Sequence, residues 1–126
     1  MKTQLLYVEL KSGYSDNGPA WIGKGFFSKT GQTIYFNGKI LKRGKGVSSN
    51  HFDLMNGDEY WISGIKKTGN DRHWSGSGVI QIDENVISEY LSLTKQLTLT
   101  KNKFKIVKLD NIPAKQIANN LENRNI

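Results

Sequence analysis

The chain has 126 residues and contains no cysteine, only two prolines and no long hydrophobic run. The absence of cysteine excludes disulfide bonds, thiolate zinc sites and cysteine nucleophiles. No segment approaches the roughly 20 apolar residues that a membrane-spanning helix needs. The first residues, MKTQLLYVELKSG, lack the long apolar core and the small-residue cleavage site of a signal peptide. We therefore predict a soluble, cytoplasmic protein with no membrane partner.

The motifs of common enzymes are also missing. Gly-Lys-Gly occurs twice, at 23–25 and 44–46, but neither copy fits the phosphate-binding loop G-x-x-x-x-G-K-[ST]. Residues 61–64, Trp-Ile-Ser-Gly, lack the preceding glycine of a hydrolase nucleophile elbow. We assign no catalytic residue, no metal ligand and no cofactor, and an enzyme is not the leading expectation.

Acidic residues are in the minority. There are 11 Asp and Glu against 18 Lys and Arg, so the formal net charge is +7. A basic balance favours polyanionic partners such as nucleic acid. Small domains also carry charges of this size for solubility alone, so the charge leaves both explanations open.

Glycine is confined to the first two-thirds of the chain, where short apolar segments alternate with turns. Asn37-Gly38 and Asn56-Gly57 each separate two strand-like runs and predict hairpins, because both central residues of a type I′ turn need a positive φ. Gly23 and Gly25 inside a predicted strand indicate a bulge, a bend or the close approach of another backbone. The predicted strands are 5–11, 20–29, 32–36, 39–43, 51–55, 58–65, 78–82, 97–99 and 104–109.

The last third has a different pattern. Apolar residues at helical spacing predict a helix over 84–92 with Asp83 as its N-cap. A last helix and a frayed tail are predicted over 111–126. Together these features predict one mainly β domain over 1–126, a small antiparallel barrel or curled sheet (SH3-like or OB-like) with one or two short helices in its C-terminal third.

Basic residues form clusters near aromatic residues. Basic side chains interleaved with exposed rings suit single-stranded nucleic acid, which they bind through phosphates and stacked bases. Rings in a domain this aromatic are also commonly core residues. The third cluster has the pattern of an edge strand protected by lysine. The clusters are Lys39, Lys42, Arg43 and Lys45, beside Tyr35 and Phe36; Lys66, Lys67 and Arg72, beside Trp61 and Trp74; and Lys101, Lys103, Lys105 and Lys108.

Asp71, Arg72 and His73 place three functional groups side by side. His73 can transfer protons near neutral pH. Arg72 can bind a phosphate or carboxylate through two parallel hydrogen bonds, as an anion clamp. The alternative is a turn in which Asp71 bonds local backbone and His73 packs beside Trp74. We favour the turn over catalysis, and we expect Arg72 to matter more to binding than His73.

His51 and Asp53 share one face of a predicted strand. Two such groups are too few for a metal site. A half-exposed polar face is the ordinary explanation for them.

Three stretches resemble a family of small bacterial proteins of unestablished function: NGPAWIGKGFFSKTGQTIYFNGK, NHFDLMNGDEYWISG and KKTGNDRHWSGSG. The most specific part is Trp-x-Ser-Gly-x-Lys-Lys-x-Gly-x-Asp-Arg-His, residues 61–73. Members are sometimes labelled 1-deoxy-D-xylulose-5-phosphate synthase. We reject that label here, because that far longer enzyme needs a thiamine-diphosphate motif beginning Gly-Asp-Gly, which this chain lacks. The resemblance implies a shared fold and points to 61–74 without supplying an activity.

The leading functional prediction is a small basic binding module that contacts nucleic acid, or another acidic partner, through a basic and aromatic surface. One alternative is a protein-protein interaction domain with an aromatic groove that holds Trp21, Trp61 and Trp74. A second is a small hydrolase or nuclease that uses His73 with Asp71 or His51. The predicted ligand-binding residues are Lys42, Arg43, Trp61, Lys66, Lys67, Arg72, His73 and Trp74.

Overall fold

The computed structural model describes residues 2–14, 18–68 and 78–110. These residues form eight strands, a short 3₁₀ helix (Glu84–Val86) and one α-helix, α1 (Ile87–Thr94). Neither helix in this part of the chain has the length or hydropathy to cross a bilayer. The strands are β1 (Lys2–Leu10), β2 (Ala20–Phe27), β3 (Thr33–Phe36), β4 (Lys39–Arg43), β5 (His51–Asp53), β6 (Glu59–Gly64), β7 (Ile80–Asp83) and β8 (Phe104–Val107).

The first six strands form a closed antiparallel barrel. Each strand pairs with the next one along the chain, and β1 pairs with both β2 and β6, so the sheet has no free edge among these six. The strands β7 and β8 extend the sheet outside the barrel, because β7 runs parallel to the first half of β2 and β8 runs parallel to β7. The predicted mainly β barrel is therefore confirmed.

The alternation of side chains along β1 gives the protein two apolar layers. Leu6 and Val8 face the barrel interior, whereas Leu5 and Tyr7 face outward, where β7 and α1 cover them. The interior layer consists of Leu6, Val8, Ile34, Phe36, Leu41, Tyr60, Ile62 and Leu109. The outer layer consists of Leu5, Tyr7, Ala20, Ile22, Ile80, Ile82, Val86 and Tyr90.

Both predicted hairpins are confirmed, but their turns differ. Asn37 and Gly38 have φ values of 49° and 73° and join β3 directly to β4, as a type I′ turn requires. The hairpin of β5 and β6 has a longer connection, residues 54–58. Of the two predicted turn residues, Asn56 and Gly57, only Gly57 has a positive φ. The side chain of Asn56 instead accepts a bond from the Asp58 backbone N–H at 2.8 Å.

The helix of the C-terminal third is confirmed, with Asp83 as the N-cap of the leading 3₁₀ turn. The strand predicted over 97–99 is wrong. Lys95 ends α1 in the left-handed conformation, and Leu97 in the following bend is fully solvent-exposed. The helix and tail predicted over 111–126 lie outside the described residues.

Glycines in β2 reflect the narrowness of the barrel. Gly23 lies opposite Leu6 and so faces the interior, where an added Cβ would lie 2.6 Å from Leu109 Cδ1 and 3.1 Å from the ring of Phe36. An eight-stranded barrel is just wide enough for side chains to fill it, so a six-stranded one has less room. The close approach predicted at Gly23 is therefore made by side chains and not by another backbone. Gly23 lies between the part of β2 that pairs with β7 and the part that pairs with β3.

One end of the barrel is closed by the residues that follow β8. Leu109 is buried in the interior layer, and the Asp110 N–H donates to Asn37 Oδ1 at 2.9 Å. Trp21 packs against the same layer, with its ring centroid 6.5 Å from that of Tyr60. We call this the plugged end.

The Gly23→Ala substitution should lower the free energy of unfolding by about 1–3 kcal/mol, the usual effect of overpacking a filled interior. Lys24→Ala, at the adjacent outward-facing position, removes only the exposed ion pair with Glu89 and should cost less than about 1 kcal/mol. Urea unfolding of both variants measures the difference. Equal losses of unfolding free energy in the two variants would show that side chains do not fill the interior next to Gly23.

Candidate functional site

The other end of the barrel is open and contains a cavity of about 270 Å³, which we call the mouth. It lies where β1 begins and β6 ends, beside the connections from β2 to β3 and from β4 to β5. Its floor is apolar and is made by Leu6, Ile34 and Ile62 of the interior layer. The remaining lining residues are Gln4, Phe27, Gly31, Arg43, Asn50, His51, Ser63 and Gly64.

The side-chain period of the strands brings polar groups to the mouth. Along β4, Leu41 is buried in the interior, and Arg43 lies on the same face two residues closer to the open end. His51 pairs with Arg43 across the sheet and shares its face. The interior is therefore apolar at mid-barrel and becomes polar at the mouth.

Asn50 fixes the orientation of His51. Its side-chain amide donates to the Ile62 carbonyl and accepts from the Ile62 N–H, both at 2.8 Å, and so extends the ladder between β5 and β6. These two bonds identify Asn50 Oδ1 as an acceptor. Because His51 Nδ1 lies 2.8 Å from that oxygen, Nδ1 must carry the proton, and Nε2 is left with a lone pair in the neutral ring.

His51 is neutral at physiological pH. Burial of the ring, and then the positive charge of Arg43, lower its pKa from 6.5 to about 4. Nearby, burial followed by the charges of Asp53 and Asp58 raises the pKa of Tyr60 to about 12. The mouth thus presents a permanent cation, Arg43, beside a neutral hydrogen-bond acceptor.

The segments that form the rim of the mouth are rich in cations, and carboxylates reach them only from other parts of the fold: Glu59 accepts from Ser49 Oγ at 3.1 Å, and Glu89 lines an outer-wall cavity with Gln4 and Gly64. The rim is formed by four segments, 2–4, 28–32, 43–50 and 63–67, which contain none of the chain's 11 Asp and Glu residues. The plugged end carries charges of both signs, since Glu9, Asp53, Asp58 and Asp110 lie there or in its connections together with Lys11 and Lys39, and Lys11 pairs with Glu9. The open end is therefore the more basic of the two ends. The rim cations are Lys2, Lys29, Arg43, Lys45, Lys66 and Lys67.

The structure brings part of the predicted site together. Arg43 lines the mouth, and Lys66 and Lys67 are exposed just beyond Gly64 of β6, at the same end. Lys42 is exposed but pairs with Thr33 and Phe52 on the outer wall of the barrel. Two basic clusters that are separate in the sequence thus share one end of the fold, without Lys42 at the mouth.

The aromatic residues beside the basic clusters differ in their exposure, and Trp74 lies outside the described residues. Tyr35 and Phe36 are buried, so they are core residues and offer no stacking platform. Trp21 pairs with Val8 and faces the interior, whereas Trp61 pairs with Glu9 and faces outward with 41% of its surface exposed. A groove that combines Trp21 with Trp61 is therefore wrong, because the two rings lie on opposite faces of the sheet.

Asp71, Arg72, His73 and Trp74 lie outside the described residues. The anion clamp by Arg72 and the hydrolase alternative through His73 and Asp71 both stay predictions. Among residues 2–14, 18–68 and 78–110, no three His, Asp or Glu side chains are grouped as metal ligands would be.

The sequence interpretation of His51 and Asp53 is also corrected. Both are buried on the interior side of the barrel and do not form a half-exposed polar face. The Asp53 carboxylate accepts the Met55 N–H at 2.8 Å, which ties it to the β5–β6 connection. Gln4 and Asn50 line the mouth but were not predicted as site residues. Their positions next to the ends of predicted strands were a signal that they lie at an end of the sheet.

Comparisons of the chain with protein-family models, with curated proteins and with solved structures find no match. The resemblance to a family of small bacterial proteins therefore stays a prediction.

The stability of the protein should fall as the pH drops from 6.5 to about 4, in part because of His51. The unfolded ring binds a proton near pH 6.5 and the folded ring only near pH 4, so protonation favours the unfolded chain in this window. The full effect is on the order of 3 kcal/mol. Urea unfolding at a series of pH values measures it.

His51→Gln is the control for this prediction, because carboxylates also titrate in the window. The variant should be less stable at neutral pH, through loss of packing and of the Asn50 bond, but its stability should fall less between pH 6.5 and 4. Parallel curves for the variant and the original protein would show that His51 does not titrate as described.

Proposed function

We propose that this protein is a binding module for single-stranded nucleic acid and that it holds the strand at the open end of the barrel. The observation that carries the proposal is the basic character of the rim, whose four separate segments contain six cations and no Asp or Glu, so that the cations outnumber the two carboxylates, Glu59 and Glu89, that reach the rim from outside. A nucleic-acid partner is compatible with the cytoplasmic location predicted from the sequence.

The arrangement of the cations suits a chain of phosphates. Lys29, Lys45 and Lys67 are exposed and come from three different segments around the mouth. A strand that crosses the rim therefore meets positive charge on each side, and each neutralised phosphate releases condensed counterions. A compact monoanion would use only one or two of these groups.

The shape of the site favours a single strand over a duplex. In the described part of the chain, the only α-helix is α1, which lies on the outer wall of β1 and β2 with Tyr90 buried against them. It is therefore not placed to enter a major groove as recognition helices do. The mouth is instead a concavity with an apolar floor, which suits unpaired bases.

Replacing Lys29, Lys45 and Lys67 together by alanine should weaken binding of a fluorescent single-stranded oligonucleotide. Three lost phosphate contacts should also reduce the slope of log affinity against log salt by about 2. Fluorescence anisotropy at several salt concentrations gives both quantities.

The matched control replaces Lys101, Lys105 and Lys108 by alanine. These side chains are equally exposed, lie at β8 and its flanking residues, and change the net charge by the same amount. The control should retain most of the affinity. Equal losses in the two triple variants would mean that net charge, and not the mouth, drives binding. An absence of binding at low salt would end the proposal and favour a protein partner.

A further inference from the structure

We propose that the mouth is a pocket for one nucleobase of the bound strand, whose backbone then runs along the rim cations. This inference rests on the proposed function and names the part of the ligand that the cavity takes. It identifies the mouth as a site for a base and the rim as a site for phosphates.

The lining of the mouth suits a flat ring with polar edges. Leu6, Ile34 and Ile62 form an apolar floor, and the ring of Phe27 lines the same cavity. A bare phosphate or carboxylate would be desolvated by such a floor without gaining a partner there. A nucleobase has apolar faces and would cover this surface.

The polar groups of the mouth complement the edge of a base. Arg43 supplies guanidinium donors, and His51, held by Asn50, presents Nε2 as an acceptor. Nucleobases carry donors and acceptors side by side on their edges. A cation next to a fixed neutral acceptor therefore matches a base better than it matches an anion, which needs donors only.

The size of the mouth suits a single ring system. Its volume of about 270 Å³ lies just below the range of roughly 300–1,000 Å³ usual for drug-sized ligands. It corresponds to about nine water molecules at their liquid volume of ~30 Å³ each. A bicyclic base fits this space, whereas a nucleotide has to leave its sugar and phosphate at the rim, beside the cations.

A base could instead stack on Trp61, which is the exposed tryptophan of the described residues and lies on the outer wall. A base stacked there would not enter the mouth. Any test of the pocket therefore has to separate the two positions.

The experiment compares an oligonucleotide with an abasic oligomer of the same length and phosphate count, each titrated by anisotropy at low salt. Base contacts are worth roughly 1–3 kcal/mol each, so the original protein should bind the oligonucleotide about tenfold or more tightly than the abasic oligomer. Both oligomers should show similar dependence on salt.

Gly64→Leu fills the mouth without changing the charge. Gly64 pairs with Leu6 and so faces the interior, and an added Cβ would meet only the side-chain Nε2 of Gln4, at 3.1 Å. The variant should bind both oligomers with the affinity of the abasic one. Thr3→Leu adds a similar side chain at the same end but on the outer wall, opposite Phe26, and should keep the preference, as should Trp61→Ala.

Equal affinity of the original protein for the two oligomers would overturn the pocket and leave the proposed function standing. A preference that survives Gly64→Leu but is lost in Trp61→Ala would place the base on the outer wall and also overturn it. If neither oligomer binds, the proposed function fails and the pocket fails with it. Because the comparison of oligomers on the original protein needs no variant, poor folding of Gly64→Leu would not rescue the inference.

Discussion

The double pairing of β1, with β2 on one side and β6 on the other, is the interaction on which the rest of the structure depends. It closes six short strands into a barrel with little room inside, so β2 carries glycine at Gly23, where it faces the interior. The narrow interior can be filled by few side chains. Leu109 fills it at one end, and the other end is left as the mouth.

The two ends of the barrel differ in how they are closed and in their charge. The plugged end is sealed by apolar contacts and carries charges of both signs, whereas the open end combines an apolar floor with cations from four segments. Buried His51 stays neutral beside Arg43, and Asn50 holds it in one tautomer. A rigid sheet therefore presents fixed charge and fixed hydrogen-bonding groups around one concavity, which is the arrangement that a binding module needs.

Local features of the fold could be predicted from the sequence and non-local ones could not. The Asn37-Gly38 hairpin follows from the turn chemistry of two adjacent residues. The pairing of β1 with β6 joins segments about fifty residues apart, and no local pattern specifies it. The side chains of His51 and Asp53 were correctly placed on one face, but alternation alone does not say which face is buried, because a one-residue change of register exchanges the two.

The candidate site was predictable in part for a similar reason. In a sheet where consecutive strands are neighbours, every second connection lies at the same end, so Lys29, Arg43 and Lys45 meet at the mouth. The chain end after β6 adds Lys66 and Lys67 there. The sequence shows the basic clusters but not this convergence, and it shows aromatic residues without showing that Tyr35, Phe36 and Trp21 belong to the core or interior.

The most direct test of the account is to map the binding surface by amide chemical-shift changes in NMR spectra, during titration with a short single-stranded oligonucleotide at low salt. The account predicts that the largest changes among the described residues fall in segments 2–4, 28–32, 43–50 and 63–67. Changes concentrated instead at β8 or in the 54–58 connection of the plugged end would contradict it.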